Sequence, residues 1–351
     1  MKRGNIRGRE RWAGLLFVGP GLAVLLIFLV VPIGLAFYVS LTRWDGLSSP
    51  FGNGAKFTGL QNYRSLLTED SLTRQNLAVS VRNNFYFVLF VVPVQTMLAL
   101  FLAVLLNNRF LKGKSYFRTA FYFPSVTSSV AISIVFLFMF TGGGAINAVL
   151  SVFGVRGPAW FSDADGVIHI VLSRLGVSAP GALVDHGLLG LSWWDWLSGP
   201  SVAMCAIIAL VVWTTSGTFM LMFLAALQDI PVEVEEASLL DGVNRRQQLR
   251  YVILPMLRPT MFLVITLGLI GSWQVFDQIY IMSQGGPGKT TLSPAYVSYA
   301  TGFQNQNFPA GAAMSFVLFA IIVLMTVGQR WLLRDRDASR ERRASRRRGR
   351  A

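Results

Sequence analysis

Apolar residues in this chain gather into long blocks rather than into the short stripes of a water-soluble domain. A bilayer crossing needs about 20 predominantly apolar residues. Six stretches satisfy or nearly satisfy that length without Asp, Glu, Lys or Arg: Trp12 to Thr42, Asn83 to Asn108, Thr119 to about Phe140, Val202 to Leu227, Pro259 to Met282 (interrupted by Asp277), and Ala310 to Gln329. The pattern predicts an all-α membrane protein with six transmembrane helices. Pro20, Pro32, Pro93 and Pro124 sit inside or at the ends of these blocks, where neighbouring helices can satisfy the freed carbonyls. The first block is too long for the apolar region of about 7 to 15 residues in a signal peptide, so it reads as an uncleaved anchor.

Composition agrees with the pattern. Of 351 residues, 53% are apolar and 14% charged, against about 25% charged in average soluble domains. Disorder is excluded, and lipid must hide part of the apolar surface. The net charge of +14 gains meaning from its distribution. With the N-terminus inside, segments 1–11, 107–118, 228–258 and 330–351 hold 23 of the 31 Lys and Arg, and the outer segments hold 8. The positive-inside rule therefore places both termini in the cytoplasm, as a multi-pass protein of the cell (inner) membrane.

The predicted organisation is a basic cytoplasmic N-terminus over 1–11, a six-span domain over 12–333, and a basic, disordered cytoplasmic tail over 334–351. The outer loops fall at about 41–82, 141–200 and 283–309, and the largest internal cytoplasmic loop at 228–258. The tail has nine Arg, three acids and no aromatic residue, so it reads as a segment held near anionic lipid and not as a nucleic-acid arm. In the second outer loop, VIHIVLSRL and GLLGLSWWDWL have the length of interfacial helices. Trp193, Trp194 and Trp196 there fit an aromatic belt or a docking surface for an extracytoplasmic partner.

Candidate chemistry is sparse. Cys205, His169 and His186 form no nucleophile arrangement and leave little for a metal, and no cofactor is expected. The string SQGGPGKTT imitates a phosphate loop, but its first required Gly falls on Ser283 and the segment faces outward.

The loop from Gln228 to Pro259 is the most informative. Asp229 and Pro231 are helix-start residues, Glu233, Glu235 and Glu236 suit a helix N-terminus, and Gly242 is placed to end the helix after about three turns. Asn244 can cap a second helix running through Tyr251 to Leu254, broken by Pro255, with Pro259 opening the fifth span. Val232, Glu235, Glu236 and Leu239 share one face of the first helix, suited to a groove in a soluble partner.

This loop resembles the EAA motif of binding-protein-dependent ABC importer permeases: Glu236, Ala237 and Ser238 for the signature, Asp241 and Gly242 after it, and Val252, Leu254 and Pro255 for the distal I-x-L-P. Ser238 and Val243 replace alanines of that pattern. FTGLQNYRSLL, LLNNRFLKGKSYFRTAFYFPSV, GAINAVL and MSQGGPGKTT are similar to segments of the carbohydrate-type permeases, and the likeness covers about residues 12–333. Residues 163–192 read as an insertion. The resemblance implies a type I ABC importer fold and an ATPase-coupling site formed by Glu235, Glu236, Ala237, Ser238, Leu239, Asp241, Gly242, Leu254 and Pro255. It also implies a second permease subunit in a heterodimer, two ATP-binding cassette subunits, an extracytoplasmic solute-binding protein and a carbohydrate solute. Hydrolysis of ATP belongs to the separate subunits, so the chain itself is not an enzyme.

A sugar crossing hydrocarbon needs replacements for its lost hydrogen bonds. In the fifth span, Gln274, Asp277, Gln278 and Ile281 fall on one helical face, with Ser272, Trp273 and Tyr280 near. The substrate-pathway candidates are Trp273, Gln274, Asp277, Gln278 and Tyr280; Asp277, the single formal charge deep in a span, could face the cavity or the outer mouth. Thr214, Thr215, Ser216, Ser125, Thr127, Ser128 and Ser129 are second-line candidates. A self-sufficient secondary transporter or channel is the alternative, for which one buried carboxylate is thin material.

Overall fold

A computed structural model describes residues 6–52, 54–69, 71–108, 111–177, 180–188 and 191–332; the side chains of 6–13, 15, 182, 188, 235 and 239 are outside that description, as are residues 1–5 and the tail from 333 onward. The expected basic tail therefore lies outside the described residues.

Helix α1 (Ile6–Leu25) continues through a π-turn at Leu26–Val30 into α2 (Val31–Ser40). A hairpin of β1 (Thr42–Trp44) and β2 (Ala55–Phe57) and the short α3 (Gln61–Thr68) follow. The long α4 (Leu72–Asn107) leads to α5 (Lys114–Val126) and α6 (Ser129–Met139), and the segment before the next long helix carries α7 (Ala145–Val152), α8 (Val167–Arg174), α9 (Gly181–Val184), the pair β3 (Gly187–Leu188) and β4 (Leu191–Ser192), and α10 (Trp193–Trp196). Helix α11 (Val202–Gln228) returns across the apolar layer to α12 (Val232–Leu240), α13 (Arg245–Gln248) and α14 (Leu254–Met256). Helices α15 (Arg258–Trp273), α16 (Asp277–Met282), α17 (Pro294–Tyr299) and α18 (Phe308–Leu332) complete the chain.

Among the described residues, four helical stretches are long and apolar enough to cross a bilayer: Leu16–Ser40, α4, α11 and α18. Two bent pairs qualify together, α5 with α6 at 97° and Arg245–Met256 with α15 at 69°, so the structure carries four to six candidate spans. Two expectations need correction. The helix that carries the second apolar block begins at Leu72, eleven residues before Asn83; with 36 residues it is about 54 Å long, well beyond the thickness of a hydrocarbon layer. At the start of GLLGLSWWDWL, Gly187 pairs with Ser192 and Leu188 with Leu191 as antiparallel strands, rather than as part of an interfacial helix.

The chain divides into two compact units. The first comprises residues 1–74 and 298–317. Here the Asn62 amide donates to the carbonyls of Ser40 and Thr42 at 2.8 Å each, and the Tyr63 and Ser40 hydroxyls meet at 2.7 Å, which ties α3 to the end of α2. Gly311 packs so closely on Gly302 that a Cβ at Gly311 would lie 2.7 Å from the Gly302 Cα. Small residues permit such helix contacts in lipid.

The second unit comprises residues 75–297 and 318–351. Its main apolar cluster joins α4 (Ala99, Leu102, Ala103, Leu106), α11 (Phe219, Met220, Phe223, Leu224, Leu227) and α15 (Val264). A smaller one holds Trp273 against Leu318 and Ile322. Helix α11 packs tightly on α5 at Gly217, where a methyl group would lie 2.2 Å from the Phe121 carbonyl oxygen. Overpacking of this kind costs about 1–3 kcal/mol. Gly217→Ala should therefore lower the thermal unfolding midpoint of the detergent-solubilised protein by several degrees. Gly142→Ala, where an added Cβ meets nothing within 4 Å, should not; equal midpoints for the two variants would contradict the close α5–α11 contact.

Candidate functional site

Local sequence chemistry builds the loop between α11 and α15. Helix α11 ends at Gln228 with Asp229 as C-cap, and α12 starts directly after Pro231. Its end has the geometry of a Schellman turn: the Val243 amide donates to the Ser238 carbonyl at 3.2 Å while Gly242 takes φ +73°. No atom crowds a Cβ at Gly242, so backbone conformation alone demands glycine there. Asn244 then forms a reciprocal capping box with Gln247: each side-chain oxygen accepts the other's amide, at 2.9 and 3.0 Å. The helix resumes through α13, a π-turn at Leu249–Ile253 and α14, and Pro259 sits in the first turn of α15. Leu254 and Pro255 are half-buried in α14.

Helix α12 presents Glu236 and Ala237 to solvent, and Asp241 and Gly242 after it are exposed too. Leu240 is 90% and Val232 45% exposed, so apolar and acidic groups alternate on its free surface. Glu235 and Leu239 belong to this helix, but their side chains lie outside the described residues. Ser238 points the other way: it is buried, and its hydroxyl accepts from the Gln248 amide at 2.8 Å. That bond couples α12 to α13, so the serine standing where the EAA pattern has alanine supplies a link that alanine would lack. Beside α12 lies a recess of about 860 Å³ lined by Glu236, Lys114, Arg245, Arg246, Asn107 and Asn108, among others.

Deeper in the second unit, the expected continuous fifth span is broken. Helix α15 stops at Trp273 and α16 starts at Asp277, with Phe276 at φ −137°, ψ −60° between them. No Gly or Pro causes the break. It is held by side chains that take the carbonyls the break would otherwise leave unpaired: Asn84 donates to the Ser272 carbonyl at 3.4 Å and Ser293 to the Val275 carbonyl at 2.8 Å. The third span breaks as well, at Thr127–Ser128, where Thr127 donates back to the Phe123 carbonyl at 3.0 Å. The two half-helices that follow, α6 and α16, pack together, and the Ser129 hydroxyl donates to the Asp277 carboxylate at 2.5 Å.

A cavity of about 240 Å³ opens at this break. Gln274, Asp277 and Gln278 line it, and Ile281, one turn after Asp277 in α16, does not. Trp273 is 1% exposed and packs in the apolar cluster. Tyr280 stacks on Phe276 at 5.5 Å and approaches Tyr296 at 6.4 Å, outside the lining. From the second-line residues, Thr215 joins the lining and Ser129 reaches Asp277.

Gln95 of α4 also lines the cavity. Its side-chain oxygen accepts from Thr215 at 2.6 Å, while its Nε2 is buried without a hydrogen-bond partner and lies 2.4 Å from where a Cβ on Gly268 would sit. Gln95 escapes a reading of span lengths because one neutral amide does not interrupt an apolar run. Its signal is the spacing to Asn84, eleven residues or about three turns away on the same buried face.

Toward the N-terminal end of α4, the Asn83 amide donates to the carbonyls of Lys289 (2.8 Å) and Leu292 (3.3 Å). Arg82 donates to the Asp195 carbonyl at 3.3 Å, and the Tyr86 hydroxyl donates to that of Trp196. Trp194 stacks on His169 at 4.6 Å, and among the three tryptophans only Trp193 is exposed.

Residues 95–337 match the family described as binding-protein-dependent transport system inner membrane component. The probable ABC transporter permease protein YesP of Bacillus subtilis is 31% identical over 93% of this chain and 92% of its own length. The lactose transport system permease protein LacF of Rhizobium radiobacter is 28% identical over 92% and 94%. A chain in the crystal structure of a bacterial alginate ABC transporter, in complex with alginate pentasaccharide-bound periplasmic protein, shares the fold with a TM-score of 0.68 at 18% identity, over 95% of this chain and 98% of that one. The helix–turn–helix loop, the paired helix breaks and these matches agree: the chain belongs to the binding-protein-dependent transport system inner membrane component family, a transport component rather than an enzyme.

Proposed function

We propose that this chain forms one half of the membrane pathway of an ATP-driven saccharide importer in the cytoplasmic (inner) membrane, as a six-span subunit with both termini inside. The observation that carries the reading is α12, an exposed helix with acidic and apolar groups on its free surface, closed by Gly242 and tied by Ser238 to the segment that enters the membrane. Such a surface fits a cleft in a soluble partner, and the partner is the ATPase. The docking set is Glu235, Glu236, Ala237, Ser238, Leu239, Asp241 and Gly242, with Leu254 and Pro255 in the following helix; the exposed Leu240 extends it.

The bent pairs at α5–α6 and at α15 count as one span each in this reading, which brings the total to six. The remaining parts are a second permease subunit, two ATPase copies and an extracytoplasmic binding protein. The lactose permease among the relatives, and the alginate pentasaccharide held by the periplasmic protein of the fold neighbour, support a saccharide as solute. Gln274, Asp277 and Gln278 at the cavity supply the polar contacts of the pathway, with Tyr280 and Trp273 shaping the elements around it. When ATP closes the motor, α12 moves and the half-helices α6 and α16 change access from one side to the other.

Two experiments test the reading. In a Cys205→Ser background, a membrane-impermeant maleimide added to intact cells should label Ser49→Cys, and should label Gln228→Cys only after permeabilisation; the reverse pattern would invert the topology. Glu236→Lys should lower ATP-dependent solute uptake by membrane vesicles at least tenfold while the permease remains inserted. Solute accumulation in vesicles devoid of any ATPase would instead establish a self-sufficient transporter.

A further inference from the structure

We propose that the cavity at the α15–α16 break is an anion-rejecting filter, so that the saccharide this chain passes is neutral or positively charged. The inference rests on reading that cavity as part of the translocation path.

Three observations carry it. First, Asp277 is the single formally charged residue in the lining; no Lys, Arg or His joins it, and the remaining polar groups are neutral amides and hydroxyls. The carboxylate accepts one hydrogen bond, from Ser129, and a carboxylate has about four lone-pair sites. It keeps acceptor capacity toward a guest. Second, Gln95 is 1% exposed, its oxygen is already occupied by Thr215, and its Nε2 has no partner. In this position the amide can only donate. Third, Phe87, Phe219 and Phe276 supply apolar walls, and the volume of about 240 Å³ is below the roughly 300–1,000 Å³ of pockets that enclose drug-sized ligands. It suits about one sugar ring at a time.

A sugar hydroxyl both donates and accepts, so one ring can donate to Asp277 and accept from Gln95 while an apolar face lies on the aromatic walls. A carboxylate, sulfate or phosphate on the ring only accepts. It has no proton to donate to Asp277 and brings a like charge beside it in a medium less polarisable than water, where the repulsion is stronger than in bulk. An ammonium group gains from the same field. A binding protein chooses the solute outside the membrane; this cavity applies a second, charge-based test within it.

The experiment uses the membrane complex of both permease subunits and the ATPases in lipid nanodiscs, without nucleotide and without the binding protein, and equilibrium dialysis against three radiolabelled β-1,4 disaccharides that differ in charge: cellobiose, the glucosamine disaccharide and diglucuronate. The wild-type complex should bind diglucuronate at least tenfold more weakly than cellobiose, and the glucosamine disaccharide at least as tightly. Asp277→Asn should bring the first ratio to within threefold, and Gln95→Glu, which adds a second carboxylate, should widen it. A wild-type ratio near one, or a ratio that Asp277→Asn leaves in place, would overturn the filter. Should Asp277→Asn fail to assemble, the wild-type ratio and the Gln95→Glu complex still decide. Binding of none of the three disaccharides by the wild type would overturn the translocation-path reading and the filter with it, whereas charge-blind binding overturns the filter alone.

Discussion

In hydrocarbon a backbone carbonyl without a donor is destabilising by several kcal/mol, and the second unit is organised around this constraint. Breaking a membrane helix is tolerable only where side chains replace the missing intrahelical bonds. Asn84 does so for Ser272 and Ser293 for Val275. Both residues are buried, and both come from segments distant in sequence from the break. The interruption creates the polar cavity, places Asp277 in the first turn of α16, where a negative charge is favoured, and brings it to Ser129 at the start of another half-helix.

Why part of this was legible in the sequence and part was not follows from where each structural cause resides. The loop at 228–258 is governed by local chemistry. Pro231 before α12, Gly242 in the left-handed region after it, Asn244 as a cap and Pro259 in the first turn of α15 each act within about four residues of themselves, and the structure has each of them in the expected position. The break at 274–276 has no such local cause, since Gln274, Val275 and Phe276 are ordinary helix or strand formers. Its cause is tertiary, and a periodicity argument runs straight through it, joining Trp273 and Gln274 to Asp277 as one continuous helix. The same difference explains α4. Charge at Arg74 and Arg82 bounds the apolar run, yet the helix extends past it, with Arg82 and Asn83 donating to the carbonyls of Asp195 and Lys289. The β3–β4 pairing is likewise not legible in the sequence, because a short apolar run does not distinguish helix from strand.

Departures from the family pattern also have physical content. Ser238 is a small residue within the acidic helix, and an alanine there would leave the Gln248 amide without this acceptor. The serine couples two short helices that are otherwise joined through an exposed turn at Asp241–Asn244. A π-turn at Leu249–Ile253 and the buried Leu257 continue the connection toward α15.

On the proposed reading, that continuity is what makes α12 a lever. Helix α15 has 16 residues and spans about 24 Å, from the cytoplasmic bend at Leu257 to the break at Gln274. A helix of that length, packed through Val264 against α4 and α11, moves as a rigid element. The deformable points are its two ends, the 69° bend before it and the non-helical residues after it. Displacing the cytoplasmic end therefore changes geometry where the chain has no regular hydrogen-bond ladder, at the cavity wall formed by Gln274 to Gln278. Gly268, held under the Gln95 amide, fixes α15 against α4 just before that wall. The motion is thereby confined to the final turn and the break beyond it, so a motor working at the membrane surface would act on the solute contacts without repacking the apolar core.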